Sequence, residues 1–350
     1  MRSARREHDE DMANPDPVHA VQWPLSVHLE TIDAMVNFEI HNHPVYTGVE
    51  VQSFDDEAHG TGVLVLMCRA DNGKVDVYQQ PGLTIDRSGY GIAAGLGDWF
   101  TVDISPAVLE VSDSGVHVDI KFDDKIGRAI EIQVDDRNGK RRCTAEFLAP
   151  VGAEIEHPTE LMLVWMRRFD LVRQTGIDPV VRIDGESIRI GRLPGRWMHR
   201  RHLIKVASDL WIVSVNPDES KGTLDAHGPG EANAQLHLSP PPPAPGMLKP
   251  GEVLTGKWSV SIGDHADVVS GTWKCAGTPV VALTFAVTRG WQPRQLPLFM
   301  RVVTTVLPMF RRWPTTYMWE ARADVRDGYK VEATWRRTVH KKNLYTKVTS

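Results

Sequence analysis

The sequence predicts an all-β protein, built as two antiparallel β-barrel domains with one or two short helices. Three observations predict it. Apolar residues recur with a period of two, as in Val116, Val118, Ile120 and Phe122 against His117, Asp119, Lys121 and Asp123. Turn signals separate these runs: Asp71-Asn72-Gly73, Asp136-Arg137-Asn138-Gly139, Asp184-Gly185 and Asp327-Gly328. Helical periodicity is scarce, and 350 residues give room for about two domains.

The elements follow in order. Residues 1–17 are too polar to pack and are expected to be disordered. An N-terminal barrel is expected over 18–157. Gly62–Met67 is an apolar run of buried-strand length, and Val75–Tyr78 alternates after the Asn-Gly turn. Ile130, Ile132 and Val134 repeat the pattern of the 116–122 strand. The second barrel is expected over 158–350. It opens with a connecting helix at 159–175, because Pro158, Thr159 and Glu160 are helix-start residues and Gly176 fits a stop. The run between them, LMLVWMRRFDLV, is apolar on most faces, so such a helix would be buried. Val180–Ile183 and Ser187–Ile190 form a hairpin, and Leu203–Val206 and Leu210–Val215 continue the sheet. A proline-rich loop is expected over 217–250. Strands return at 256–262, 271–275 and 280–288, and a hairpin from Tyr317 through Trp319 to Trp335 closes the chain. The apolar stretch Leu296–Trp313 reads as a core-packed helix or lid; peripheral membrane contact through 296–312 and a partner-binding helix are the alternatives.

Composition narrows the function classes. A net charge of −5 argues against nucleic-acid binding, which needs a basic surface. Three isolated cysteines suggest neither a zinc knuckle nor a disulfide framework. The N-terminus supplies acids where a signal peptide needs an apolar run, and no transmembrane-length stretch occurs, so a cytoplasmic location is expected. No phosphate loop, nucleophile elbow or dinucleotide fingerprint is present, and no cofactor is expected.

Hairpin after hairpin in each half resembles the calycins, and more narrowly the two-domain lipocalin-like group of carotenoid 1,2-hydratases and AttH-like proteins. The segments that carry the resemblance are Val75–Tyr78 with the Gly82 turn, Gly127–Ile132, and the aromatic hairpin Tyr317–Trp335. It implies lipocalin-like barrels and a pocket for a hydrophobic small molecule. It also implies hydration, isomerisation or cyclisation of a terpenoid-like substrate by protonating an alkene. A non-catalytic carrier with the same pocket, or a membrane- or partner-interaction protein, is the alternative.

Candidate residues follow from chemistry. A desolvated carboxyl on the inner face of a barrel could act as a general acid, which singles out Asp76 beside Tyr78, and Asp98 and Asp103 around Trp99. Trp99, Phe299, Tyr317, Trp319 and Trp335 are the aromatic candidates for ligand contact. His41 and His43 could share a strand face and hold a metal, against the reading of two partly exposed histidines before Pro44. Arg192, Arg196, His199, Arg200, Arg201, His202 and Lys205 form a basic cluster that reads as a solvated loop or as a binder of an anionic head group.

Overall fold

A computed structural model of the chain describes residues 23, 25–87, 97–137, 139–149, 161–173, 178–192, 201–216, 224–277, 280–290, 296–306, 317–324 and 330–337. The fold is all-β, with one sheet curled as a half-barrel and a single α-helix among the described residues. The strands lie in three sheets, and no ladder among the described residues closes any of them into a barrel.

The largest sheet contains β1 (Ser26–His41), β2 (Tyr46–Asp56), β3 (Gly60–Arg69), β4 (Val75–Gln79) and β5 (Gly97–Thr101). The second contains β6 (Ala107–Ser112), β7 (Gly115–Asp123) and β8 (Ala129–Asp135). The chain then returns to the first sheet with β9 (Ala145–Ala149) and β10 (Leu161–Arg173). It adds β11 (Val180–Ile183) and β12 (Glu186–Ser187) to the second, and β13 (Arg189–Ile190) and β14 (Arg201–Asn216) to the first. The first sheet thus runs β5-β4-β3-β2-β1-β14-β10-β9, with β13 beside the end of β1; the second runs β12-β11-β8-β7-β6. The third is a meander of β15 (Asp225–His227), β16 (Asn233–Ser239), β17 (Val253–Ile262), β18 (His265–Ala276), β19 (Val280–Gly290), β20 (Tyr317–Asp324) and β21 (Lys330–Arg337). Helix α1 (Leu298–Val306) interrupts it between β19 and β20.

The large sheet is the platform for everything else. β1 and β14 have 16 residues each and pair over most of that length, about 50 Å at ~3.3 Å per residue. One face of this ladder is covered twice. Near the end of β1, Val36, Phe38 and Ile40 pack against Val118, Ile120 and Ile132 of the second sheet. Near its start, Val27 and Leu29, with Leu163 and Trp165 of β10, pack against Trp258, Val260, Phe285 and Trp319 of the third. The inward parity changes from odd to even between these two cores. The change falls at Asp33 on β1 and at Asp209 on β14, and Asp209 takes a left-handed φ of 58°, which an aspartate tolerates better than a branched residue. The opposite face carries Ile32, Met35, Leu64, Leu66, Ala207 and Leu210, and α1 docks there through Met300 and Val303.

Two expected elements are corrected. The connecting helix at 159–175 is strand β10 over its described residues. Leu161, Leu163 and Trp165 enter one core while Met162, Val164 and Met166 enter the other. A strand buried on both faces is apolar throughout, and that removes the alternation which distinguishes it from a buried helix. The loop expected over 217–250 contains β15 and β16. Ala234 and Leu236 face the core between exposed Asn233, Gln235 and His237, an alternation that the neighbouring prolines obscured. The division expected at 157 falls between β9 and β10, which pair with each other. The stretch expected as a docked helix at 296–313 is α1 over its described part. No helix among the described residues is long and apolar enough to cross a membrane.

Candidate functional site

On the α1 face one register row crosses seven strands: Leu171, Lys205, Asn37, Glu50, Leu66, Val77 and Trp99. Its ends are apolar and its centre is polar. Asn37 Nδ2 donates to Glu50 Oε2 at 2.8 Å, and Gln52 Nε2 from the adjacent row donates to Glu50 Oε1 at 2.5 Å. Lys205 Nζ donates to Asn37 Oδ1 at 3.1 Å. Leu66 and Val77 are fully buried, whereas Asn37, Glu50 and Lys205 stay half-buried. So do Cys68, Leu203, Trp99 and Phe299, which pack against the apolar core of this face. Arg201 lies over the Phe299 ring at 4.0 Å and donates to the Leu171 carbonyl at 2.9 Å, pinning α1 to the sheet.

Glu50 is the carboxyl of interest. Burial pushes its pKa above the ordinary carboxylate value, and the hydrogen bonds from Gln52 and Asn37 and the charge of Lys205 do not offset this. A carboxyl in that condition can donate a proton at a pH where a solvated one has lost it.

A second polar group lies further along this face. His59 Nε2 donates to Glu30 Oε1 at 2.6 Å, and its Nδ1 donates to Asp56 Oδ2 at 2.8 Å. The hydrogen bond to Glu30, reinforced by Asp56 and opposed by burial, pushes the imidazole pKa up to about 9. Burial works against ionising Glu30, but the hydrogen bonds from His28 and His59 outweigh it and hold the carboxyl down at about 2. His59 is therefore an imidazolium at neutral pH, clamping the β2–β3 turn to β1. The raised pKa makes this contribution complete below the ordinary histidine value of 6.5 and lost as pH rises through about 9. The wild type is expected to lose stability between those two values in urea titrations, and His59→Gln to abolish that slope. An unchanged slope in the variant would assign it to other groups.

Asp76 and Tyr78 occupy the other face, in the seam between the first and second sheets. Asp76 is fully buried; its Oδ1 accepts from Lys125 Nζ at 2.8 Å and its Oδ2 lies 3.6 Å from Arg69. Asp124 ties the β7–β8 turn by accepting from the amides of Ile126 and Arg128 and from Arg128 Nε. Tyr46 Oη bridges the two carboxylates at 3.5 and 3.4 Å. Tyr78 is buried with Phe100 and Phe122 around its ring, and burial pushes its phenol far up. These contacts make a latch between sheets.

The remaining candidates are dispersed. Asp98 is exposed with its Oδ2 3.6 Å from Lys125, and Asp103 is exposed. Trp99 and Phe299 border the Glu50 row, while Trp319 is fully buried in the third sheet's core. Tyr317 starts β20, and Trp335 registers opposite Trp319; the side chains of Tyr317 and Trp335 lie outside the described set. β1 ends at His41, and Asn42 takes φ 60°, so the extended backbone that would align His41 with His43 stops between them. His43 Nδ1 accepts from the amides of Val45 and Tyr46. Among the described residues no group of three or more His, Cys, Asp or Glu is arranged to hold a metal ion. Of the basic cluster, residues 193–200 lie outside the described set, Arg192 pairs with Asp178, His202 is buried, and Arg201 and Lys205 reach the α1 face.

Sequence reasoning missed Glu50, Asn37 and Gln52. A signal was present: TGVEVQSF places Glu50 and Gln52 on one face of a strand whose other face is valine. No family model, curated protein or solved structure matches the chain.

Proposed function

We propose that the protein holds an apolar small molecule, of terpenoid or lipid-like class, against the α1 face of its large sheet. The observation that carries this is the half-open centre of the Glu50 row, on a face that also carries partly exposed Cys68, Leu203, Trp99 and Phe299. Small-molecule sites combine apolar walls with a few placed polar groups in this way. The ligand class is the one implied by the resemblance to two-domain lipocalin-like proteins. A second reading, turnover of that ligand, is favoured by Glu50. It is the carboxyl with a raised pKa on this face, so it is positioned to protonate an alkene or carbonyl of the bound molecule.

The test is titration of a neutral fluorescent probe, 1-N-phenylnaphthylamine, into the wild type and into Leu203→Glu and Phe299→Ser, with urea midpoints measured alongside. Both variants are expected to bind at least about tenfold more weakly, a difference of ~1.4 kcal/mol, without unfolding. Binding equal to the wild type in both would remove this face from ligand binding.

A further inference from the structure

The polar centre of the row contains a cation with no direct anionic partner among the described residues. Lys205 is a cation whose hydrogen-bond partner is the neutral Asn37 amide. The acid within reach of that amide is Glu50, and burial favours the uncharged form of its carboxyl. The two Glu50 oxygens are taken by the Asn37 and Gln52 amides, and among the described residues no carboxylate lies within ion-pair distance of Lys205, so its ammonium has no direct anionic partner. An incompletely solvated ammonium is costly unless an anion joins it. Lys205 has three N–H groups, of which Asn37 takes one.

We propose that the ligand is an aliphatic or terpenoid carboxylic acid, whose carboxylate sits on the Lys205 ammonium and accepts a hydrogen bond from the protonated Glu50 carboxyl. The inference rests on the α1 face being the ligand site and names the head group that site takes. The apolar part of the molecule then lies against Leu203, Phe299, Cys68 and Trp99, the partly exposed members of the same surface. Ligand carboxylate and Glu50 share one proton, because two carboxyl groups joined by a hydrogen bond cannot both ionise. Where Glu50 is ionised in the free protein, binding draws that proton from solvent. Affinity for the carboxylate therefore falls as pH rises through the titration of Glu50. Other titratable groups directed to this face are Glu39 and His41 on β1, Cys68 on β3 and, on β14, Arg201, which pairs with Asp170 at 3.2 Å, with Arg301 exposed on the covering helix and the Glu30–His59–Asp56 group further along the face.

Isothermal titration calorimetry with decanoate and with 1-decanol, in two buffers of different ionisation enthalpy and across pH 5–9, tests this. Decanoate is expected to bind at least about tenfold more tightly than decanol (~1.4 kcal/mol), with uptake approaching one proton per ligand at the alkaline end. Lys205→Met is expected to remove the preference for the acid. Glu50→Gln is expected to remove the proton uptake and, at alkaline pH, to bind decanoate more tightly than the wild type. His41→Gln is expected to change neither. Equal binding of acid and alcohol without proton uptake would overturn the head-group assignment and leave the ligand site standing. Loss of binding for both, together with failure of the neutral probe to bind, would overturn the site itself.

Discussion

Replacing Trp319 by alanine is expected to lower the unfolding free energy by about 3–5 kcal/mol, the cost of emptying a buried tryptophan position. Trp319 is fully buried, with its ring 4.8 Å from Phe285 and nearly perpendicular to it. The same core joins the third sheet to Leu163 and Trp165 of the platform. The loss is therefore expected to loosen the attachment of the meander and to shift the urea midpoint of the whole chain. Were Trp319 a ligand-contact residue, the variant would keep its midpoint and bind the neutral probe more weakly. Measuring both quantities on one preparation separates the two roles.

Asp76→Ala is expected to destabilise by about 2–3 kcal/mol. Removing one partner of a wholly buried ion pair costs about 3–5 kcal/mol. Lys125 and Arg69 are 21% and 18% exposed while Asp76 is 0%, so water compensates part of the loss. Tyr46 also loses one of its two carboxylate contacts. Adding Lys125→Met is expected to recover part of the loss, because a cation left with only the exposed Asp98 carboxylate at 3.6 Å is then replaced by an apolar side chain. The readout is the urea midpoint at constant slope. A fully stable Asp76→Ala protein would mean the latch contributes nothing, and the residue would return to the list of candidate acids.

The all-β class was legible because alternation and Asx-Gly turns are local. The sheets they build were less legible. β14 pairs with β1 although roughly 160 residues separate them, and nothing local in either strand names the other. β10 misled because burial on both faces erased its periodicity. At the site, reasoning from Asp76 pointed to a different face of the sheet from the one that carries Glu50. Alternation in Val75–Tyr78 separates two faces without saying which is open, and Asp76 faces the seam between sheets while Val77 joins the Glu50 row. Glu50 and Lys205 are 155 positions apart and meet only through their shared neighbour Asn37 in the assembled ladder. Charge balance, the feature that gives them meaning, exists only after folding.

The place of β1 in the platform also bears on how the chain is made. β1 has β2 on one side, available as soon as that hairpin is synthesised, and β14 on the other. Between the end of β1 at His41 and the start of β14 at Arg201 lie roughly 160 residues, on the order of 8–30 s of synthesis at ~5–20 residues per second. Throughout that interval the open side of β1 presents unpaired amides and carbonyls beside Val36 and Phe38, a template for strands of other nascent chains. The ribosome-bound intermediate is thus the stage most exposed to aggregation. A truncation ending before residue 201 is expected to need a chaperone, where the full chain closes its own edge.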